Sequence, residues 1–251
     1  MLVEQGRAVG VRATRADGTP LEVRAKAIVL AAGSLHSPCV LLRSGVGGAH
    51  VGRHLRLHPV TGLTAHFERD IKVYEGAPMT SVCDVCEQAP DGSFYGAKLE
   101  IPSVHPGLMC AAIGWRGGAE FARDVTLLNR SNCMIVLQRD GGDGGRVSLD
   151  ASGKGPCVRY RLREADAASM LEAMDKGSRV LVAAGAMQVA TVITGHPAHP
   201  VAAEARGQAA PGANAPLDAW VASFKAAGLR PNGVGLFSAH QMGTCRTASD
   251  S

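Results

Sequence analysis

Extended-chain alternation opens the sequence. Ala8-Val9-Gly10-Val11-Arg12-Ala13 and Leu21-Glu22-Val23-Arg24-Ala25 flank Asp17-Gly18. Asp-Gly readily supplies the positive φ of a tight turn, so the pattern predicts a β-hairpin. Ala27-Ile28-Val29-Leu30-Ala31-Ala32 follows as an unbroken apolar run ending at Gly33-Ser34. A run of that kind predicts a strand covered on both faces, as in a parallel sheet. Ser37-Pro38, a capping residue before proline, then predicts a helix through Val40-Leu41-Leu42 that stops at Gly45 and Gly47. Strand, glycine turn and helix together have the local form of a nucleotide-binding element, although taken alone an ordinary strand-to-helix connection is the commoner meaning.

Mixed segments occupy the middle of the chain. Ser131–Leu137, the glycine-rich loop 141–145, Arg146–Asp150 and Cys157–Tyr160 predict consecutive antiparallel strands. Between about Glu164 and Ala186, Met170, Leu171, Met174, Ser178, Leu181, Val182 and Gly185 recur on one helical face, which predicts a core-facing helix. Pro197, Pro200, Pro211 and Pro216 break the stretch 196–215 into loop, and His196 and His199 among them are expected in solvent. A short helix is predicted over Leu217–Ala227, ending at Gly228. The chain carries no internal repeat.

Composition narrows the classes of function. With 46% hydrophobic residues over 251 positions, a sizeable core is expected, and with aromatics at 4% it rests on Val, Leu, Ala and Met. The formal net charge of +4 is scattered, which predicts neither a nucleic-acid-binding arm nor a polybasic membrane patch. No signal peptide or apolar stretch of spanning length occurs in this sequence, so membrane association is expected only through regions outside it. Seven cysteines, an odd number without a framework, are read as reduced thiols. Cys83 and Cys86 have knuckle spacing but no second pair, and His54 and His58 lie in an expected loop, so no metal site is predicted. Carboxylates show no paired arrangement for glycosidase chemistry.

Three segments carry the chemistry. Gly33-Ser34-Leu35-His36-Ser37-Pro38-Cys39-Val40-Leu41-Leu42-Arg43-Ser44-Gly45-Val46-Gly47 resembles in full the second signature of the glucose–methanol–choline (GMC) flavin oxidoreductases. Val51-Gly52-Arg53-His54-Leu55-Arg56-Leu57-His58-Pro59 is similar to the family's VGRNLxxHP, with His54 in place of Asn. Ser238-Ala239-His240-Gln241-Met242-Gly243-Thr244-Cys245-Arg246 resembles its HxxGTCRMG segment. The wording around Tyr95–Glu100 and His105–Met109, with Ser238–Gly243, is similar to the long-chain fatty alcohol oxidase branch.

The resemblance implies a mixed α/β and α+β architecture: part of a Rossmann-like FAD-binding domain together with an antiparallel-sheet substrate-binding domain. The expected segments are 1–60, partial FAD domain; 61–206, substrate-binding domain; and 207–251, a return to the FAD domain. It implies FAD as cofactor and a small, long-chain alcohol as substrate, with no nucleic-acid partner. His240 would be the catalytic base, with Gly243 and Thr244 close to the flavin, Ala31, Ala32 and Gly33 near the adenosine half of FAD, and Ser34 among the cofactor-binding residues. An imidazole suits that role near neutral pH. The sequence departs from the pattern at two places. No GxGxxG unit for the pyrophosphate occurs, and Thr247 and Ala248 stand where the family has Met and Gly before the chain stops at Ser251, so a fragment is expected. Other readings stay open: a non-catalytic product or interaction module, a dehydrogenase using another acceptor, or a fatty-acid photodecarboxylase.

Overall fold

The computed structural model describes residues 1–89 and 91–246; Pro90, Thr247, Ala248 and the remaining residues to the end lie outside the described residues. Its elements run β1 (Leu2–Glu4), β2 (Arg7–Thr14), β3 (Pro20–Arg24), α1 (Gly33–Arg43), β4 (Arg53–Leu55), β5 (Val60–His66), β6 (Val82–Cys83) and β7 (Ala97–Glu100). There follow α2 (Pro106–Ala112), α3 (Gly118–Thr126), β8 (Ser131–Gln138), β9 (Gly145–Leu149), β10 (Pro156–Arg159), α4 (Glu164–Ala183), β11 (Gln188–Thr191), β12 (His199–Pro200) and α5 (Ala215–Ala227). All strand pairings among them are antiparallel, in a mixed α and β chain.

Contacts gather these elements into two compact units, one of residues 1–57, 142–161 and 239–251, the other of 58–141 and 162–238. The β9–β10 hairpin sits with the first unit because β9 pairs with β4, and α5 sits with the second because it shares a core with α4.

In the first unit the expected hairpin forms, with Val11 opposite Val23, and β1 adds a third strand. Asp17 Oδ1 accepts the Thr19 N–H at 2.9 Å and closes the turn. A second sheet has the order β10-β9-β4. Cys39 of α1, Leu55 and Val147 pack between that sheet and the helix, with Leu35, Leu57 and Leu149 around them.

Two expectations here are corrected. Residues 27–32 form no strand, and Val29 is 88% exposed. An apolar run becomes a buried strand only where neighbours offer a ladder and two covering faces, and no described strand pairs with this one. The helix begins at Gly33 rather than at Pro38, so Pro38 lies inside α1 rather than at its first position.

The second unit is built on a six-stranded sheet of order β12-β11-β5-β8-β7-β6. β5 and β8 form its centre, paired from Val60 opposite Leu137 to His66 opposite Ser131. Ser131–Leu137 was expected to pair with the strand after the 141–145 loop; β8 instead lies between β5 and β7, and only β9 and β10 form a hairpin. Alternation aims Leu63, Leu99, Met134 and Val136 at one face. There they meet the stripe of α4, Met170, Met174, Leu181 and Val182, and the Leu217 and Phe224 side chains of α5. A smaller cluster joins Val73, Val104, Met109 and Cys133, where burial pushes the Cys133 thiol up to about 11. Among the described residues, no helix is long and apolar enough to cross a membrane.

His196 and His199 are buried rather than in solvent. The prolines lead the chain over Trp220 instead of away from the core. His199 stacks on the indole with centroids 5.7 Å apart, and Trp220 Nε1 donates to the Pro197 carbonyl at 2.8 Å.

Two outcomes follow from this packing. Met174→Ala, at a fully buried position, should destabilise the second unit by about 2–5 kcal/mol in urea unfolding; a loss within error would show the α4 stripe to be loosely packed. Burial, joined for His196 by the charge of Arg116, lowers both His196 and His199 below the ordinary imidazole value. The fold therefore favours the neutral rings. Their stabilisation is complete above the unfolded value of about 6.5 and is lost as pH falls through the lowered folded values. Urea midpoints should drop on going from pH 7.5 to acid, and His199→Phe, which keeps an aromatic ring on Trp220, should flatten that drop.

Candidate functional site

The first unit brings most of the expected site residues together at the start of α1. Ala32 precedes the helix and offers no side-chain cap. Ser37 Oγ, one turn inside, accepts the Ala32 N–H at 3.1 Å. Pro38 has no N–H, so the Ser34 carbonyl four residues back lacks its ordinary helical donor. Thr244 supplies one: its buried hydroxyl donates to Ser34 O at 2.6 Å. Ser34 Oγ in turn donates to the Gln241 carbonyl at 2.8 Å.

Backbone contacts complete the attachment of the 241–244 segment. The Gly52 N–H donates to Thr244 O at 2.9 Å, and Arg56 and Met242 exchange bonds of 2.9 and 3.0 Å. Gly243 has φ of 92°, and a Cβ there would stand 2.3 Å from the His54 carbonyl oxygen. Only glycine fits both the left-handed backbone and that approach. The neighbour pressing on Gly243 within the unit is therefore the VGRHL segment itself.

Leu30, Ala31, Gly33, Ser34, Ser37, Met242, Gly243, Thr244, Cys245 and Arg246 line a cleft of about 490 Å³. The first turn of α1 carries no acidic residue, and its leading N–H groups face outward with the positive end of the helix dipole. Small side chains at Ala31 and Gly33 leave room, and Arg246 adds a cation. These residues fit a polar, anionic stretch of a dinucleotide such as FAD. Ala32 caps the helix outside the lining, and His240 is exposed, three residues before Gly243 and likewise outside the lining.

His54 has φ of 63°, in the left-handed region. Asn tolerates that region well and His is also enriched there, so His54 can stand where the resembled pattern has Asn. The His54 and His50 rings meet at 2.9 Å between Nε2 and Nδ1. Burial, with the charges of Arg246 and His50, lowers the His54 imidazole below its ordinary value. Among the described residues, no three His, Cys, Asp or Glu side chains gather to hold a metal.

The second unit holds a buried polar network that sequence patterning did not reveal. His66 Nδ1 lies 2.8 Å from Ser131 Oγ and its Nε2 3.0 Å from Asp124 Oδ1, while Arg116 pairs with Asp124 as well. The residue types match a nucleophilic triad. Ser131 is fully buried and its hydroxyl donates to the Leu127 carbonyl at 2.7 Å, so the network ties α3 to the sheet instead of offering a nucleophile. Arg116, Asp124 and Ser131 lie within one stretch of the chain, but His66 comes from β5, 58 residues before Asp124, and no local spacing could have joined it to them.

Comparisons with known proteins bear on the same segments. A family model described as GMC oxidoreductase matches residues 1–60. A long-chain-alcohol oxidase of Arabidopsis thaliana is 27% identical over 231 residues, which cover 89% of this chain and 30% of that protein. A second from the same plant is 30% identical over 256 residues, covering 96% of this chain and 31% of its own length. An uncharacterized GMC-type oxidoreductase of Mycobacterium tuberculosis is 34% identical over 199 residues, 78% of this chain and 30% of that protein. The chain thus spans about a third of the length of these relatives. A formate oxidase of Aspergillus oryzae RIB40, solved to follow modification of its FAD, shares the fold with a TM-score of 0.53 at 14% identity, over 94% of this chain and 47% of that one.

Thr244→Val keeps the shape of the side chain and removes the donor to Ser34. An unpaired buried carbonyl costs about 1–3 kcal/mol, and the loss should appear locally as faster hydrogen exchange at the Gly52 amide, whose acceptor is Thr244 O. Unchanged exchange there would mean that the backbone pairs alone hold the segment.

Proposed function

From its place in the GMC oxidoreductase family, with curated relatives in the long-chain-alcohol oxidase branch, we propose that this chain serves the FAD-dependent oxidation of a primary, long-chain alcohol to its aldehyde, with dioxygen as acceptor and hydrogen peroxide as the second product. The observation that carries the reading is the attachment of the His240 segment, through Thr244 and Gln241, to Ser34 at the mouth of the cleft. A base for this reaction must be exposed to substrate and fixed beside the cofactor-binding residues. His240 is exposed and lies one residue before Gln241.

Each group of residues has a part in this reading. Ala31, Gly33 and Ser34, with the leading N–H groups of α1, would hold a polar portion of FAD, and Gly243, Thr244 and Arg246 would close the other side; Ala32 contributes by starting the helix. FAD, when bound, supplies the hydride acceptor at flavin N5. The His240 imidazole takes the hydroxyl proton of the substrate on its unprotonated ring nitrogen, and as the imidazolium it stabilises the developing alkoxide. Ser34 and Thr244 position that ring by holding the segment it belongs to, so they act on the reaction through His240.

The test uses the FAD-loaded protein that carries this sequence, supplied with a saturated long-chain primary alcohol. We expect peroxide release matched by aldehyde. His240→Ala should lower turnover by roughly two to four orders of magnitude, the usual worth of a positioned acid or base, with the flavin spectrum retained. Turnover unchanged by the substitution would remove His240 from the role, and aldehyde formed without peroxide would replace dioxygen by another acceptor.

A further inference from the structure

Strand register gathers on the first unit a charge that the sequence leaves scattered. Arg53 of β4 stands opposite Arg146 of β9, and Arg146 stands opposite Arg159 of β10. Residues directly opposed in antiparallel strands lie roughly 4.5–5.5 Å apart at Cα and point to one face, so the three arginines form a row across the sheet. The row lies on the face turned away from α1. Val147, next to Arg146, packs on the other face with Cys39 of that helix. Leu55 packs there too, because the register shifts between Arg53 and Leu55, with His54 in its left-handed conformation at the shift.

All three arginines are exposed, and among the described residues no carboxylate pairs with any of them. Residues 53–57 and 142–161, which form this sheet and its turns, carry six Lys and Arg against Asp143 and Asp150. Asp150 Oδ1 already accepts from Ser152 Oγ at 2.8 Å and from the Lys154 N–H at 3.1 Å. Like charges set directly opposite one another destabilise a sheet. The row therefore carries a repulsion that a bound polyanion removes.

We propose that the row binds a linear triphosphate, one phosphoryl group against each guanidinium. The planar fork of arginine matches phosphate oxygens in pairs, which the point charge of lysine does not, and all three positions are arginine. The outer two stand two strand spacings apart, roughly 9–10 Å, a span that suits a chain of phosphoryl groups better than a single one. Ser148 opposite Cys157 forms the next row on the same face, small and uncharged, so recognition rests on the phosphate chain rather than on a sugar or base.

Calorimetric titration of the flavin-free 251-residue chain, without magnesium, tests this with inorganic triphosphate, orthophosphate and ATP. Neither flavin nor turnover enters the measurement, so its result is independent of the alcohol oxidation. Triphosphate should bind with a Kd about tenfold or more below that of orthophosphate, and ATP should match inorganic triphosphate. Arg146→Gln together with Arg159→Gln should weaken triphosphate by about tenfold or more, whereas Lys26→Gln, which removes an exposed cation elsewhere, should not. Without ligand the double variant should melt no lower than the parent chain, since it relieves the repulsion, and triphosphate should raise the melting temperature of the parent alone. The proposal is overturned by equal affinity for triphosphate and orthophosphate, by triphosphate binding that the double substitution leaves unchanged, or by binding of ATP without binding of inorganic triphosphate.

Discussion

A single missing hydrogen organises the first unit. Pro38, placed inside α1, leaves the Ser34 carbonyl without its helical donor, and a helix that contained such a gap against apolar surroundings would be weakened. The Thr244 hydroxyl closes it from a point 210 residues along the chain. The helix thus depends on the 241–244 segment, and the segment depends on the helix. Gly52 and Arg56 add backbone bonds to the same stretch, and the close approach of His54 O demands glycine at Gly243. The three motif segments, separated in sequence, are parts of one hydrogen-bonded assembly.

That mutual dependence bears on what sequence reading can see. The β2–β3 hairpin, α4 and α5 were legible because their signals are local: a turn dipeptide, an apolar stripe, a proline start with a glycine stop. Residues 27–32 were misread because apolarity states only that a segment avoids water, whereas a strand also needs partners for its backbone. β5 went unmarked for a related reason. Val60-Thr61-Gly62-Leu63-Thr64-Ala65-His66 is buried along nearly its whole length, so no polar alternation betrays it. β8 was recognisable as a strand, yet its neighbours, which fix the sheet order, were not.

The site was legible as motifs and only partly as geometry. Gly33, Ser34, Gly243 and Thr244 do converge on one cleft, as does Ala31. The bond between Thr244 and Ser34 had a usable signal that spacing rules do not capture, because a proline within a helix always strands the carbonyl four residues earlier. The pairing of His66 with Asp124 and Ser131 had none, since tertiary structure alone brings β5 to them, whereas the His50 and His54 rings, four residues apart, meet across a local turn.

Physical access separates the nine histidines before motif membership does. A general base has to meet solvent-borne substrate and cycle its proton. His196 and His199 are closed in against Trp220 and held neutral by burial, and His66 is enclosed with Asp124. His105 spends Nδ1 on the Gly107 N–H at the start of α2. His50 and His54 engage one another, and burial, with the charges of Arg246 and His50, lowers the His54 imidazole. His58 is half-buried, with its backbone N–H donating to Asp140. His36 and His240 are exposed. His36 is on the first turn of α1, whose Ser34 bonds to Thr244 and Gln241. His240 stands on the segment that makes those bonds. Both positions are tied to residues that would hold the cofactor; His240 is the one that stands in the segment resembling the family's active-site motif, and this favours it as the base.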